Sequence, residues 1–188
     1  MTKTSSSMLP LGTLAPDFLL KDVVTEKPIS LKKTPAALAT VILFICNHCP
    51  YVKHVNPELI RLAQEYISRN INFIAINAND INSYPDDAPD NMKKIAKEQG
   101  YPFPYLFDET QEVAHAYQAM CTPDFFIFDQ SFALIYRGQL DDSRPHNGLP
   151  QNGHSIRAAL DHLLTNTPID TLQKPSMGCN IKWKKTNF

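Results

Sequence analysis

Two cysteines separated by two residues are the strongest chemical signal in this sequence. Cys46 and Cys49 lie in the stretch FICNHCPYV, directly after an apolar run and directly before a proline and a tyrosine. A thiol pair at this spacing can bind a metal ion, form a disulfide that stabilises the fold, or carry out thiol–disulfide exchange. The elements on either side of the pair help to choose between these three kinds of chemistry.

The two thiols are expected at the junction of a strand and a helix. The apolar, β-branched run that ends at Cys46 predicts a buried strand, and apolar residues at helical spacing follow Cys49. The start of a helix carries unsatisfied N–H groups and a partial positive charge, which stabilise a thiolate, and His48 between the cysteines can add positive charge. We therefore expect Cys46 to be the attacking, more exposed thiol and Cys49 to resolve the mixed disulfide that Cys46 forms.

A metal site is the main alternative for the pair. One C-x-x-C supplies only half of a tetrahedral zinc site, and the remaining cysteines, Cys121 and Cys179, stand alone in the sequence. Redox chemistry is therefore favoured, and we expect no metal and no cofactor. The residues alone leave a metal site and an inert structural pair open as alternatives.

Strands and helices alternate around the pair, which indicates the α/β class. A strand over 39–46, a helix over 49–69 that Pro57 should kink, and a buried strand over 71–77 form a βαβ unit with parallel strands. Further elements are expected as a hairpin of 17–23 and 28–33, a short strand at 105–107, a hairpin of 123–129 and 132–138, and helices near 92–99, 109–119 and 153–166.

Several stretches carry a resemblance to a known family. GTLAPDF at residues 12–18 is similar to the start of peroxiredoxins and of the alkyl hydroperoxide reductase / thiol-specific antioxidant superfamily. CNHCPYVKH, YRGQLDDSRP and GCNIKWK together resemble one branch of that superfamily, the peroxiredoxin-like thioredoxin-family proteins that contain a C-x-x-C. The resemblance runs from Gly12 to Lys184 and implies a thioredoxin-like fold, with a central mixed sheet flanked by helices.

The sequence pattern and the resemblance together predict how the chain is organised. We expect a flexible leader at 1–11, a thioredoxin-like domain at 12–166, and a C-terminal tail at 167–188 that packs on the domain. Within the domain, an N-terminal hairpin precedes the βαβ unit. An insert of the peroxiredoxin or cytochrome-maturation type is expected at about 78–119.

The resemblance implies a substrate-binding edge beside the cysteines. In the thioredoxin fold, the proline that matches Pro123 is cis and lies next to the C-x-x-C, and the backbone of Thr122 pairs with an extended substrate segment. The histidine inside the C-x-x-C is similar to that of periplasmic disulfide oxidases. It predicts a reduction potential above the value of about −270 mV that thioredoxin has.

Two departures from the family patterns affect the expected chemistry. Peroxiredoxins place a proline and a threonine or serine seven and three residues before the peroxidatic cysteine. Ile42 and Cys46 occupy these places before Cys49, and Ala39 and Leu43 occupy them before Cys46. Thioredoxins also carry a buried acid in the strand before the C-x-x-C, and the strand ATVILFIC has none. A proton donor or acceptor for the second thiol must come from elsewhere in the chain.

Three further residues are candidates for the site. Asn79 follows the second parallel strand at its carboxyl end, where open α/β sheets bind ligands, and is expected among the substrate-binding residues. The loop SYPDDAP that comes after it can form a wall beside the cysteines. Cys121, two residues before Pro123, and Cys179 in the tail are possible resolving cysteines or small buried residues.

Composition excludes several other classes of function. The net charge of −1 and the lack of a basic block argue against a nucleic-acid partner, and the longest apolar run, residues 36–46, is too short to cross a membrane. The first residues lack the apolar core of a secretory signal, so we expect a cytoplasmic protein. The sequence therefore predicts a thiol–disulfide oxidoreductase that acts on protein or low-molecular-weight thiol or disulfide substrates. The alternatives are a thiol-dependent peroxidase with Cys121 or Cys179 as resolver, and a non-catalytic binding or zinc-carrying thioredoxin-like module.

Overall fold

The computed structural model describes residues 2–185, which contain a seven-stranded mixed sheet, a three-stranded sheet and four α-helices. The strands are β1 (Lys3–Ser5), β2 (Leu19–Asp22), β3 (Pro28–Ser30), β4 (Ala39–Phe44), β5 (Ile71–Asn77), β6 (Tyr105–Phe107), β7 (Cys121–Thr122), β8 (Asp124–Asp129), β9 (Leu134–Gly138) and β10 (Met177–Asn180). The helices are α1 (Pro50–Ile67), α2 (Pro89–Gln99), α3 (Glu112–Ala116) and α4 (His154–Leu164).

The large sheet places β4 in its interior. The strand order is β3-β2-β6-β5-β4-β8-β9, with β4 parallel to β5 and antiparallel to β8. All six residues of β4 are buried, as its continuous apolar run requires for a strand covered on both faces. The predicted βαβ unit and the mixed central sheet are confirmed.

Helix α1 follows β4 and begins immediately after the cysteine pair. Pro50 is its first residue, a position where the missing N–H of proline costs nothing, and Cys49 is its N-cap. Val52, Val55 and Leu59 lie on its buried face within the main core. Their spacing of three and four residues explains why the segment forms a helix with one apolar side.

Helix α3 is shorter than the sequence predicts. The expected helix over 109–119 is reduced to Glu112–Ala116, because Gln111 and Gln118 take positive φ angles of 66° and 50°. Such left-handed backbone interrupts a right-handed helix on both sides. Within residues 2–185, no helix combines the length and the apolar character needed to cross a membrane.

The small sheet joins both ends of the chain to the middle of the fold. Its order is β1-β10-β7, with both pairings antiparallel. The segment expected to be a flexible leader thus contributes a strand, and the tail contributes β10. The domain boundaries themselves stay a prediction, and residues 1 and 186–188 of the expected leader and tail lie outside the described residues.

Candidate active site

Both thiols of the C-x-x-C meet one residue, Thr122. Cys46 follows the end of β4, and its Sγ lies 3.3 Å from the Thr122 hydroxyl oxygen. The Cys49 Sγ lies 3.2 Å from the Thr122 carbonyl oxygen, to which it donates when protonated. The bond between Thr122 and Pro123 is cis, as the resemblance implied. The structure therefore brings together all four of these sequence-predicted residues at the junction of β4 and α1.

The two thiols share a proton through a hydrogen bond between them. This hydrogen bond, helped by Cys179 and by the backbone N–H of Val52, lowers the pKa of Cys49 to about 5. The same hydrogen bond, followed by burial and by the charge of Asp87, raises the pKa of Cys46 well above its usual range. In the resting reduced pair, the negative charge therefore lies on Cys49 and the proton lies on Cys46.

The contacts to Thr122 also accommodate the opposite proton position. The Thr122 hydroxyl can donate to a Cys46 thiolate, and the Thr122 carbonyl accepts a hydrogen bond only from a protonated Cys49. Moving one proton from Cys46 to Cys49 thus yields a second hydrogen-bonded state. In that state Cys46 carries the charge.

A buried carboxylate lies behind the cysteines. Asp87 is fully buried, and its Oδ1 accepts a hydrogen bond of 2.7 Å from the backbone N–H of Asn47. Its Oδ2 lies 2.6 Å from the His48 Nδ1 and accepts a hydrogen bond of 2.7 Å from the Asn79 side-chain amide. Burial raises the pKa of Asp87, but the hydrogen bonds from His48 and Asn79 outweigh it and lower the pKa overall.

Asp87 is the functional residue that sequence reasoning missed. Thioredoxins carry their buried acid in the strand before the C-x-x-C, and this strand has none. Here the carboxylate comes from the loop between β5 and α2, 38 residues after Cys49 in the chain. The sequence did predict that the SYPDDAP loop lies beside the cysteines, but it did not single out Asp87 within that loop.

His48 lies between the cysteines and the surface. Its side chain is 11% exposed, its ring stacks on Tyr84 with centroids 5.0 Å apart, and its Nδ1 contacts Asp87. The Nε2 atom is buried and has no hydrogen-bond partner among the described residues. His48 and Tyr84 together form a cover over one side of the site.

Neither sulfur-bearing residue of the pair is open to solvent. Cys46 is 2% exposed and Cys49 is 0% exposed, so Cys46 is the more accessible of the two by a small margin. An external disulfide can reach the pair only after a covering segment moves. The prediction that Cys46 attacks and Cys49 resolves stays a prediction.

The tail lies on the edge where a substrate was expected. In the small sheet Cys179 pairs with Thr122, and Asn180 pairs with Cys121. Gly178 approaches so closely that a Cβ atom added there would lie 2.0 Å from the Thr122 carbonyl oxygen. Strand β10 therefore fills the position that the resemblance assigned to an extended substrate segment.

Asn79 connects the acid to the tail. Its Nδ2 donates to Asp87, and its Oδ1 accepts a hydrogen bond of 2.8 Å from the backbone N–H of Lys182. A role in substrate binding stays a prediction, since both ends of the amide contact the protein itself. The structural consequence is that the tail after β10 is held to the loop that carries Asp87.

Cys121 is buried next to Pro123. Its Sγ lies 3.5 Å from the Pro123 carbonyl oxygen, and the residue is 0% exposed. Burial raises the pKa of its thiol far above the usual range, which keeps it protonated. These contacts favour the interpretation of Cys121 as a small buried residue.

A buried ion pair lies directly after Pro123. Arg137 and Asp124 are both fully buried, and their closest nitrogen and oxygen atoms are 3.4 Å apart. Burial raises the pKa of Asp124 to about 7, although the Arg137 guanidinium opposes this. The guanidinium also lies 4.5 Å from the centre of the Phe126 ring.

One group of side chains in the site has metal-ligand chemistry. Ligand atoms of Cys46, His48 and Asp87 lie within 4.8 Å of one another. A structural zinc site has four ligand atoms, and this group supplies only three. Both Asp87 oxygens also already accept hydrogen bonds from N–H donors. The hydrogen bonds account for this arrangement, and the zinc-carrying alternative stays a prediction.

Several solved structures resemble this chain over most of its length. An uncharacterized conserved protein from Geobacillus kaustophilus is 58% identical, with a TM-score of 0.97 over 99% of this chain and 98% of its own. A hypothetical protein from Sinorhizobium meliloti is 40% identical, with a TM-score of 0.95 over 97% of this chain and 100% of its own. The thioredoxin domain of a thiol-disulfide oxidoreductase from Bacteroides vulgatus is 14% identical, with a TM-score of 0.61 over 80% of this chain and 97% of its own. The last match shows that the fold is thioredoxin-like.

Sequence comparison assigns the family. No curated protein sequence matches the chain. The model of the AhpC/TSA family matches residues 11–137, which include the C-x-x-C, the loop with Asp87 and the Thr122–Pro123 edge. This match covers more than half of the chain, and the chain therefore belongs to the AhpC/TSA family.

Proposed function

We propose that this protein is a thiol–disulfide oxidoreductase whose redox pair is Cys46 and Cys49. The observation that carries the proposal is the convergence of both sulfurs on Thr122, at the start of a helix and with a proton shared between them. Membership of the AhpC/TSA family supports thiol-based redox chemistry in general. The substrates we propose are protein disulfides or small disulfides and thiols.

The shared proton determines the order of steps. The Cys49 thiolate accepts the proton of Cys46, and the Cys46 thiolate, hydrogen-bonded by the Thr122 hydroxyl, attacks one sulfur of the substrate disulfide. The substrate S–S bond breaks, one substrate thiolate leaves, and Cys46 is held in a mixed disulfide. Cys49 then loses its proton and attacks the Cys46 sulfur, which releases the second substrate thiolate. The substrate gains two electrons and one proton from the pair and a second proton from solvent, and the protein retains a Cys46–Cys49 disulfide.

The Asp87 network positions the loop between the two cysteines. Its carboxylate accepts from the backbone of Asn47 and contacts His48, so both intervening residues are held by one buried group. This arrangement fixes the loop while the two sulfurs exchange bonds. The Asp87 charge also raises the pKa of Cys46, which keeps the shared proton on Cys46 in the resting state.

Reduction of a model disulfide by a dithiol, followed with purified protein, tests the proposal. Cys46→Ser should abolish catalysis, because the attacking sulfur is lost, and Cys49→Ser should trap the mixed disulfide on Cys46. Cys121→Ser is the matched control, since the Cys121 thiol donates a hydrogen bond to the Pro123 carbonyl and serine can keep that contact. Catalysis that survives Cys46→Ser would refute the proposed role of the pair.

The reduction potential gives an independent measurement. A histidine inside the C-x-x-C predicts a potential above the value of about −270 mV found for thioredoxin. Equilibration of the protein with mixtures of reduced and oxidised glutathione, followed by alkylation, measures this potential. A value at or below that of thioredoxin would contradict the role of His48.

A thiol-dependent peroxidase is the second candidate, favoured by the family match. The proline and threonine that position peroxide in peroxiredoxins are missing in both registers, so the first candidate is preferred. Consumption of hydrogen peroxide with a dithiol donor distinguishes the two. Turnover that Cys46→Ser or Cys49→Ser removes would establish peroxidase activity, and its absence would leave disulfide exchange alone.

A further inference from the structure

Strand β10 presents a third thiol to the redox pair in the manner of a bound peptide. Cys179 lies directly opposite Thr122 in an antiparallel pair, and directly opposite residues project their side chains from the same face about 4.5–5.5 Å apart. The Thr122 hydroxyl contacts the Cys46 sulfur on that face. The Cys179 side chain is therefore directed toward the two cysteines rather than toward solvent, and the residue is only 3% exposed.

A hydrogen bond joins Cys179 to Cys49. It contributes to the lowered pKa of Cys49, and it raises the pKa of Cys179 in addition to the effect of burial. The Cys179 thiol thus donates to the Cys49 sulfur. Three sulfurs consequently form a chain, with Cys49 in the middle and Cys46 and Cys179 on either side.

The fold holds Cys179 in this place from both flanks. Lys3 of β1 pairs with Cys179 on the side opposite Thr122, and Gly178 removes the Cβ that would collide with Thr122. Beyond β10, the Lys182 backbone donates to Asn79. Strand β10 is therefore held in place by β1 and β7 on its two sides and by the hydrogen bond from Lys182 beyond its end.

We propose, resting on the function proposed above, that Cys179 is a third redox thiol that moves the disulfide from the Cys46–Cys49 pair to a Cys49–Cys179 bridge. The Cys179 thiolate attacks the Cys49 sulfur, the Cys46–Cys49 bond breaks, and the bonding electron pair leaves on Cys46. The proton that Cys179 loses is gained by Cys46. No further oxidant is required, because the disulfide of the substrate supplied the oxidising equivalents.

This exchange has two consequences for the site. Cys46 returns to the thiol form, while the oxidising equivalents stay on the protein as the Cys49–Cys179 bridge. At the same time β10 becomes covalently attached beside Thr122. The docking edge is then closed to an extended substrate until an external thiol reduces the bridge.

Peptide mapping detects the bridge directly. Reduced wild-type protein is oxidised with glutathione disulfide, quenched with acid, alkylated and digested with trypsin. The cleavage sites leave Cys46 and Cys49 together in residues 34–53, Cys121 in residues 98–137 and Cys179 in residues 158–182. We expect a cross-linked pair of residues 34–53 and 158–182 in which fragmentation locates the alkyl group on Cys46.

A simplified variant isolates the proposed step. In Cys46→Ser, glutathione disulfide first modifies Cys49, and Cys179 should then displace the glutathione. The bridged form should exceed the glutathione adduct by about tenfold or more, because a neighbouring thiol acts at an effective concentration of millimolar or above. Cys46→Ser/Cys179→Ser should keep the adduct, and Cys46→Ser/Cys121→Ser should behave like Cys46→Ser.

The outcomes separate this inference from the proposed function. If the wild type forms a Cys46–Cys49 disulfide and catalyses exchange, but no peptide containing Cys179 is ever cross-linked, the function stands and the third thiol is refuted. A stable glutathione adduct in folded Cys46→Ser would refute it as well. If the wild type forms no Cys46–Cys49 disulfide and has no exchange activity, the proposed function itself fails.

Discussion

Replacing Asp87 by asparagine should make the protein less stable and Cys46 more acidic at the same time. The new side chain is almost the same size, so it leaves no cavity. Its single oxygen can still accept from the Asn47 backbone, but an NH₂ group replaces the oxygen that now contacts His48 and Asn79. The Asn79 amide then faces another donor inside the protein.

The cost follows from these lost contacts. A hydrogen bond to a charged group contributes about 1.5–3 kcal/mol, so losing the one from Asn79 and weakening the one from His48 should lower the free energy of unfolding by about 3–4 kcal/mol at neutral pH. The pKa of Asp87 is lowered in the folded state, so its contribution is present above the unfolded pKa of about 3.9 and is lost as the pH falls through the folded pKa. The difference between the wild type and Asp87→Asn should therefore shrink in acid.

Denaturant unfolding and the ultraviolet absorbance of thiolates measure the two effects. Asp86→Asn is the matched control, because Asp86 is exposed and contributes only its backbone carbonyl to the site. That variant removes the same charge one residue away and should change the free energy of unfolding by about 0.5 kcal/mol or less. Removing the Asp87 charge should also lower the pKa of Cys46, which that charge raises. Equal stability of the two variants, or an unchanged Cys46 titration, would refute the reasoning.

Three further substitutions test other parts of the site. Cys49→Ser should remove the thiolate that forms as the pH rises through about 5, and an absorbance step that persists in this variant would assign the low pKa to another thiol. Gly178→Ala places a Cβ 2.0 Å from the Thr122 carbonyl oxygen and should speed hydrogen exchange in β7 and β10. The control Gly100→Ala, where nothing lies within 4 Å and φ is +67°, should cost about 1–2 kcal/mol without changing exchange in these strands. Burial raises the pKa of Asp124 to about 7 from an unfolded value near 3.9, so stability should fall as the pH rises from about 4 to 7, by at most about 1.4 kcal/mol per pH unit. Asp124→Asn should abolish this slope, and an unchanged slope would show that another group causes it.

The elements nearest the cysteines were predictable because their signals are local. Strand β5 spans Ile71–Asn77 and β6 spans Tyr105–Phe107, both as expected, since continuous apolar runs bounded by polar or proline residues mark buried strands. The apolar run before Cys46 and the helical spacing after Cys49 are enough to place the two thiols at a strand–helix junction. The cis Thr122–Pro123 bond was expected from the family resemblance rather than from the residues alone.

The boundaries of α3 and the residues that hold the loop between the two cysteines were harder to predict from the sequence. The apolar spacing over 109–119 is helical, but Gln111 and Gln118 adopt left-handed backbone, which hydrophobic periodicity does not predict. Asp87 and Asn79 lie in a loop without periodicity. Their hydrogen bonds to residues 40 and 103 positions away depend on how that loop docks.

The sequence by itself determined the chemistry that is possible here: two thiols at disulfide spacing, a histidine between them and a strand–helix junction that favours a thiolate. Only the tertiary structure decided which groups act on those thiols. Asp87 reaches the pair from the following loop, and Cys179 reaches it from the tail, 130 residues after Cys49. Local periodicity encodes strands and helices, whereas contacts over such separations are set by the packing of the whole chain.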